Sequence, residues 1–557
     1  MAKHAFFSEF TSPDQQAWTE KASRDLKGKP LSKLDWQCPE GFELNPYPFD
    51  APVPDAWHRG NAFNAMDSGW QAVQPINVSN PAADAILLEA IEHGIPAFLL
   101  YAETANALPA NFHALWDLID VSRHAIHLAP GQDLAANRLA EALITKAVES
   151  GQAHSLTGNI FVKPGQELPS ISLQTPWFRT AGTDLVWLEA RGASAATQLA
   201  VALSHTVGLL EKEPDKNLFA QRLAYRFGIG GSFWVEVAKF RAFRMLIARV
   251  LEVMGVTEEH ALSPFVLAQT GLFNKSRYDA HTNMLRATTE AVSASVAGVH
   301  AIASFPHNRL FSEASVADAR LGRNILQLMR HESYLHRVAD PAGGSRYAEQ
   351  LTEKLTAEAW RQFQEIEALG GYGKAYNWLD QKMGEAMAWQ HQAAATRRRS
   401  YVGVTNYPNP DESLQPEIPD KDLRPIAAYE RLRAAVEKRP VRPKAFILMY
   451  GDRLMRNARS TFARNVLGIL GLELIENQES DNWNIALQEL EAARPDVVCL
   501  CAADEDYSPE KINAIRAVIP EARLLVAGRN QEGLEADYYI FMGADVLGVL
   551  TSLASSI

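Results

Sequence analysis

Cysteine is scarce in this sequence of 557 residues, and long apolar runs are missing. Three cysteines cannot build a disulfide framework, and Cys499 and Cys501 have the wrong spacing for a CxxC redox or zinc pair. Their apolar surroundings predict core packing instead. No stretch approaches the ~20 uninterrupted apolar residues that a membrane-spanning helix needs. Residues 1–10 lack the features of a secretory signal or a transit peptide, so we expect a cytoplasmic protein.

An excess of positive charge is also missing. Lysine and arginine total 54 against 66 aspartates and glutamates, which gives a formal charge of −12. This balance argues against broad binding to nucleic-acid phosphates. Hydrophobic residues make up 47% and charged residues 22%, the composition of an ordinary globular protein. That composition excludes a wholly disordered chain, a collagen-like fibre and a membrane bundle, and the length predicts several domains.

The pattern along the first two thirds of the chain predicts an arm followed by a barrel. Residues 1–69 have one helical pattern, at 14–26, and too few apolar residues for a core of their own, so we expect an arm lying on another surface. Within 70–345, short apolar runs alternate with helical periods, which is typical of βα units. Eight strands are predicted, which favours a (β/α)₈ barrel over an open sheet: 73–78, 97–101, 125–128, 159–162, 184–188, 225–229, 265–269 and 299–304. The predicted helices are 82–93, 134–149, 194–211, 234–254, 277–296 and 316–336.

A helical and proline-rich linker is predicted for residues 346–442. Amphipathic helices at 347–369 and 374–392 are separated by glycines, which commonly end helices. The basic run Arg397-Arg398-Arg399 and a proline-rich stretch follow. Three arginines can grip a phosphate, but such a run is more often a solvated surface or an intramolecular anchor.

The alternation restarts within 443–557 and predicts a small flavodoxin-like domain. Ligands of such sheets bind beyond the carboxyl ends of the strands, so the first βα loop, 451–460, is the expected ligand site. Strands are predicted at 444–450, 472–475, 496–501, 523–527 and 538–541, and helices at 458–470, 483–493, 508–518 and 547–552.

Four stretches resemble the methylmalonyl-CoA mutase family, and the resemblance extends over nearly the whole chain. They are FWVEVAKFRAFR at 233–244, HESYLHRVADPAGGSRY at 331–347, the helix from Glu349 to the glycines at 370–371, and YVGVTNY at 401–407. The resemblance implies a barrel of the acyl-CoA mutase type and a small domain of the cobalamin-binding type.

Catalytic chains of that family bind adenosylcobalamin through Asp-x-His-x-x-Gly in the first loop of the small domain. Aligned on 470–472, the Asp falls on Leu454, the His on Arg456 and the Gly on Arg459. Arginine offers only donors and cannot ligate cobalt. His391 is the last histidine of the chain, so sliding the alignment supplies no imidazole. We therefore expect no cofactor and no metal on this chain.

The barrel positions implied by the resemblance have changed as well. The substrate-facing histidine aligns with Trp187, and the tyrosine that helps cobalt–carbon cleavage aligns with Pro75. We therefore expect no catalytic residue. These departures resemble the non-catalytic small subunit of the family's heterodimers. That resemblance implies a large catalytic partner that carries adenosylcobalamin and interconverts succinyl-CoA and (R)-methylmalonyl-CoA, with this chain stabilising it.

Two other hypotheses stay open at this point. The chain could be a stand-alone acyl-CoA-binding or isomerase barrel without cobalamin, or a transient assembly factor for the large chain. His307, after the last barrel strand, is a candidate functional residue by position. The segment 340–345 could cradle a phosphate, although a structural turn anchored by Asp340 is favoured. Gly528 lies near the family's cobalamin-tail glycines and, without an axial ligand, predicts a turn at a strand end.

Overall fold

The structure is a computed structural model that describes residues 14–48, 69–102, 112–130, 136–168, 177–261, 264–338, 340–413, 418–478 and 481–557. It contains a closed barrel of eight parallel strands and an open parallel sheet of five. Within these ranges, every helix is too short or too polar to cross a bilayer.

The amino-terminal arm lies on the barrel through its second half. Helix α1 (Gln15–Asp25) leaves all its residues at least partly exposed. Strands β1 (Trp36–Gln37) and β2 (Glu43–Leu44) then pair antiparallel, and Cys38 and Leu44 are buried in the main hydrophobic cluster. The expectation that the arm needs another surface is confirmed for this part, while 1–13 and 49–68 lie outside the described residues.

Eight parallel strands close the barrel in chain order, which confirms the predicted fold class. The last strand pairs with both its predecessor and the first strand. Alternate residues face inward, and a separate cluster that includes Leu99, Phe161 and Leu267 fills the interior. The strands are β3 (Gln71–Asn77), β4 (Ala97–Tyr101), β5 (Ala125–Ala129), β6 (Gly158–Val162), β7 (Phe178–Asp184), β8 (Leu223–Ile229), β9 (Phe265–Thr270) and β10 (Ala301–Ala303).

The fifth barrel strand was predicted in the wrong place. The apolar run at 184–188 suggested a strand, but β7 ends at Asp184 and the next residues form a short helix, Val186–Ala190. The true strand carries buried threonines and a glycine in place of an apolar run. A Cβ at Gly182 would lie 2.1 Å from the Ile160 carbonyl oxygen, so glycine is required where β7 approaches β6.

The barrel helices follow the predicted pattern, with two boundaries that differ. The helix predicted from 277 begins at Thr282, because the residues before it form a loop in which Asp279 has a left-handed φ of 48°. The helix predicted to 336 ends at His331, shortly before left-handed Tyr334. The helices are α2 (Ala83–Glu92), α3 (Phe112–Leu118), α4 (Ala136–Glu149), α5 (Val186–Ala190), α6 (Ala195–Leu210), α7 (Lys216–Ala220), α8 (Phe233–Val253), α9 (Glu258–Ala261), α10 (Thr282–Val296) and α11 (Val316–His331).

Three linker helices connect the barrel to the small domain: α12 (Arg346–Ala368), α13 (Tyr376–Ala395) and α14 (Ala427–Glu437). Helix α12 packs across α6 and α8. Arg241 of α8 is buried there and donates to Glu349 at 2.9 Å and to Thr352 at 2.9 Å. It also pairs with Asp340 at 3.1 Å, which confirms that 340–345 is a structural turn with an aspartate anchor.

The small domain has the strand order 2-1-3-4-5 of flavodoxin-like folds. Cys499 and Cys501 are fully buried in its central strand, so the prediction of core packing is confirmed. Its strands are β11 (Lys444–Met449), β12 (Glu473–Glu476), β13 (Val497–Cys501), β14 (Arg523–Val526) and β15 (Tyr538–Tyr539), and its helices are α15 (Arg453–Gly468), α16 (Trp483–Ala493), α17 (Pro509–Val518) and α18 (Val546–Ser556).

We expect Arg241→Gln to destabilise the protein by about 3–5 kcal/mol, because it leaves two buried carboxylates without their cation. Arg249→Gln is the matched control on the same helix, since Arg249 is exposed and pairs weakly with Glu252 at 3.6 Å. The control should stay within about 0.5 kcal/mol of the unchanged chain. Urea unfolding followed by circular dichroism measures both, and equal midpoints for the two variants would contradict the assignment.

Candidate functional site

The predicted ligand loop of the small domain is largely helical. The carboxylate of Asp452 accepts the N–H of Met455 at 2.9 Å and caps α15, so the helix begins at Arg453. The prediction of a loop through 460 is therefore wrong. The three positions aligned with the cobalamin motif lie on the first turns of this helix, and Leu454 is 78% exposed.

Arg456, which the sequence alignment places at the position of the axial histidine, is bonded within its own domain. One guanidinium nitrogen donates to the Gly451 carbonyl at 2.9 Å and pairs with Asp481. Its side chain is only 13% exposed. At the position where the resemblance implies an imidazole in catalytic chains, this chain therefore has a hydrogen-bonded cation.

Arg459, at the position of the motif glycine, crosses the carboxyl ends of β13 and β14. Its guanidinium donates to the Ala502 carbonyl at 2.7 Å and to Asp504 at 2.6 Å. It also lies over the ring of Tyr507, 5.2 Å from the ring centre. This side chain occupies the edge where a flavodoxin-like sheet receives a ligand.

Tyr507 and Gly528 complete the closure of this edge. The Tyr507 hydroxyl donates to the Ala527 carbonyl at 2.8 Å and accepts the Ala502 N–H at 3.2 Å. A Cβ at Gly528 would lie 3.1 Å from the Tyr507 ring and 3.2 Å from the Arg459 guanidinium. Gly528 thus makes room for the chain's own side chains, as expected of a turn at a strand end.

These residues do not fit adenosylcobalamin. The binding mode that the resemblance implies uses a protein histidine as the axial ligand of cobalt, and the segment 443–557 contains no histidine. Arg456 and Arg459 offer donors only, and their guanidinium groups are already bonded within the domain. The tail of the cofactor would also have to displace Arg459 and Tyr507 from between the strand ends.

The two changed barrel positions lie on different kinds of structure. Pro75 is inside strand β3, on the same face as the interior residue Val73. Trp187 lies on α5 and packs against the hydrophobic cluster outside the barrel interior. Neither offers the hydroxyl or imidazole that the resemblance implies for catalytic chains at the aligned position.

Polar residues inside the barrel pair with one another, a feature that the sequence analysis missed. Arg226 donates to Asp184 at 2.8 Å and to Gln269 at 3.0 Å. His127 contacts the amide of Asn159 at 2.8 Å, and burial lowers the pKa of this histidine to about 3. His127 therefore stays neutral at physiological pH. The only sequence signal was a single histidine inside an apolar strand.

A second feature that the sequence analysis missed is a cluster of buried charged residues from α5, α8, α10 and the loop after β9. Lys275 pairs with Glu290, and Lys239 pairs with Glu236 at 2.5 Å. Glu189 lies against two glycines: a Cβ at Gly271 would be 2.4 Å from its carboxylate oxygen, and one at Gly228 would be 2.7 Å from its Cβ. The glycines at these strand ends therefore make room for the Glu189 side chain.

One carboxylate oxygen of Glu189, Oε2, is buried and has no hydrogen-bond partner among the described residues. Burial, together with the nearby Glu290 carboxylate, raises the pKa of Glu189 to about 8. The usual value is 4.5. Glu189 is therefore protonated in the folded protein at neutral pH, which removes one charge from the cluster.

The remaining sequence candidates have structural partners. The ring of His307 stacks on His281 with centroids 4.9 Å apart, and burial lowers the pKa of His307. Arg397 lies over the ring of Phe462 at 5.0 Å and donates to the Asn406 side chain at 3.4 Å, and the Arg399 guanidinium donates to the Gln390 side chain. These two arginines thus agree with the expected intramolecular anchor.

Comparison with known proteins decides the family. The family model described as methylmalonyl-CoA mutase matches residues 173–449, from before β7 into the small domain. Curated proteins of the same name align with most of the chain. The chain belongs to the methylmalonyl-CoA mutase family.

Its similarity to small subunits of that family extends from end to end. The methylmalonyl-CoA mutase small subunit of Streptomyces virginiae is 29% identical over 609 aligned positions, covering 98% of this chain and 97% of the relative. The small subunit of Porphyromonas gingivalis is 28% identical over 578 positions, covering 94% and 93%. A methylmalonyl-CoA mutase of Rhizobium meliloti is 32% identical over only 244 positions, covering 42% of this chain and 34% of the relative.

We expect Glu189→Gln to stabilise the protein at high pH more than at low pH. The folded chain holds a proton on Glu189 that the unfolded chain releases above about pH 4.5, so wild-type stability falls as the pH rises to about 8. One pKa unit corresponds to about 1.4 kcal/mol, and we expect the variant to gain at least about 1 kcal/mol between pH 5 and pH 8.5. Urea unfolding at both values measures the gain. Glu92→Gln, at an exposed site, is the control, and the same gain in both variants would contradict the assignment.

Proposed function

We propose that this chain is the non-catalytic small subunit of a heterodimeric, adenosylcobalamin-dependent methylmalonyl-CoA mutase. The observation that carries the proposal is the replacement of the cobalamin motif by two internally bonded arginines, Arg456 and Arg459. A family member that keeps both domains but lacks the axial histidine cannot carry out the radical chemistry itself. It still has the domain surfaces with which it can contact a catalytic chain.

The relatives support a role within a two-chain enzyme. The proteins that match end to end are named small subunits, which implies a larger chain beside each of them. The small domain and the barrel of this chain are both complete sheets with intact cores. We propose that they present to a catalytic chain the surfaces that related copies present to one another in symmetric dimers.

In this proposal the chemistry belongs to the partner. The large chain holds adenosylcobalamin and the CoA thioester and interconverts succinyl-CoA and (R)-methylmalonyl-CoA. This chain binds no cobalamin and stabilises the large chain. A permanent partner should bury well over ~2,000 Å² of largely apolar surface between the two.

We expect the chain expressed alone to contain no corrin, and the co-expressed pair to elute as one complex with one cobalamin per pair. The reason is that the segment 443–557 contains no histidine, while Arg456 and Arg459 offer hydrogen-bond donors only. Size-exclusion chromatography with absorption spectroscopy measures the size of each species and its corrin content. Mutase assays of each fraction show which species is active. Corrin bound stoichiometrically to the 61.6-kDa chain alone would refute the proposal.

The same experiment separates the other roles. A chain that stays monomeric beside the large chain and binds acyl-CoA is a stand-alone barrel. A chain that raises the yield of soluble large chain and then dissociates is an assembly factor.

We expect that rebuilding the cobalamin motif will not produce an enzyme. The variant Leu454→Asp, Arg456→His, Arg459→Gly supplies the ligand sequence, but Tyr507 still occupies the strand ends and Pro75 still lacks a hydroxyl. Groups that act as a unit are strongly non-additive, so repairing one site recovers little rate. With added cofactor, the rate should stay below about one-thousandth of that of the large chain, a deficit of ~4 kcal/mol. A faster rate would show that the barrel positions are misassigned.

A further inference from the structure

The turn between strands β1 and β2 attaches the amino-terminal arm to the barrel. Glu40 lies in this turn and is buried. Its two carboxylate oxygens accept the backbone N–H groups of Ala195 at 3.0 Å and of Ala196 at 2.8 Å, at the start of α6. A carboxylate at this end of a helix satisfies N–H groups that lack a partner in the helix, and it suits the helix dipole. Glu40 therefore ties the arm hairpin, residues 36–44, to the barrel.

The arm hairpin buries little else. Cys38 and Leu44 are buried, Phe42 is partly buried, and the Glu43 carbonyl accepts a hydrogen bond from Lys354 at 2.5 Å. Helix α1 and the short helix before the hairpin bury no residue. Detachment of the hairpin therefore uncovers little apolar surface, and it requires much less free energy than unfolding of the whole chain.

The arm hairpin forms one wall of a small cavity of about 60 Å³, which has space for a few water molecules. The other walls come from the loops before α6 and α8, the loop after β9, and α13. Three carboxylates line the cavity, those of Glu40, Glu189 and Glu236. Arg399 is the one guanidinium of the described lining, and it donates to Gln390. A hairpin that lifts away admits water to Glu189.

Ionisation of Glu189 changes the charge balance of this cavity. In the closed structure burial and the Glu290 carboxylate raise the pKa of Glu189 to about 8. After burial, the charge of Glu236 contributes to the raised pKa of both Glu189 and Glu40. The two lysines near Glu189 are each paired with another carboxylate. Ionised Glu189 is therefore a buried anion without a cation paired to it. The charged groups that face it are Glu40, Glu236, Lys239, Lys275, Glu290 and Arg399.

We propose that the arm hairpin is a strap with Glu40 as its latch, which closes the cavity while Glu189 is protonated and loosens when Glu189 ionises. Lifting the hairpin hydrates Glu189, which then releases its proton to the solvent. Because the closed form holds this proton and the open form does not, closure is strongest at low pH. It weakens as the pH rises to about 8 and is constant above that value. The strap does not depend on the small-subunit assignment.

The test measures how fast Cys38 of the full-length chain reacts with iodoacetamide. Burial and the charge of Glu40 raise the pKa of Cys38 to about 12, so its thiol is unreactive while the hairpin is closed. Each rate is divided by the rate of a cysteine peptide at the same pH, and the ratio gives the open fraction. Peptide mapping by mass spectrometry identifies the alkylated cysteine. Cys499 and Cys501 are fully buried in the small domain and report its unfolding.

We expect the open fraction to rise at least about tenfold between about pH 6 and pH 8 and to level off at higher pH. In Glu189→Gln, whose side chain stays neutral, the rise should be less than about threefold. Glu40→Ala leaves two N–H groups of α6 without their acceptor and should raise the open fraction about fivefold or more at every pH. Glu20→Ala, at an exposed site on α1, is the control and should change it less than about twofold.

Circular dichroism checks the fold of each variant. The wild-type profile and the comparison of Glu40→Ala with its control test the proposal even if Glu189→Gln does not fold. An open fraction that does not change with pH, or the same rise in Glu189→Gln, overturns the proposal. So does a Glu40→Ala chain no more reactive than the control, or labelling of Cys499 and Cys501 as fast as that of Cys38.

Discussion

The guanidinium of Arg424 joins the linker to the barrel, and the placement of the small domain depends on that contact. It donates to Glu430 at 2.7 Å, to Asp422 at 2.6 Å and to the Lys275 carbonyl at 2.7 Å. Glu430 is fully buried and also accepts the backbone N–H of Arg277 at 2.7 Å. Buried charges persist only when they are paired, so the linker has one position on the barrel. Helix α14 in turn packs against α18, so the position of the linker also sets the position of the small domain.

The same constraint, that a buried charge needs a partner, applies to arginines at the ligand-facing edges of both domains. At the small domain, Arg459 finds acceptors in Ala502 and Asp504, and the edge is closed. At the barrel mouth, Arg424 takes the carboxylate of Asp422, and Arg277 faces a cavity with its charge incompletely compensated.

Much of the fold could be predicted from the sequence because local patterns determine it. Alternation of apolar runs and helical periods located seven of the barrel strands and the small domain. Strand β7 was missed because its buried residues include Thr180, Thr183 and Asp184 and form no apolar run. The early start of α15 was missed because one cap, Asp452, decides it. The Glu189 cluster could not be predicted, since its members come from α5, α8, α10 and a loop and meet only after folding. The lack of a histidine in the small domain could be predicted, because it depends only on where the last histidine of the sequence lies.

The closed edge of the small domain has a consequence for assembly in a cell. Arg459, Tyr507 and Gly528 satisfy and fill that edge with groups of the chain itself. That edge therefore needs no bound group to complete it. In the proposed complex, a large chain would meet the same surface of this domain in vitamin-starved and vitamin-replete cells.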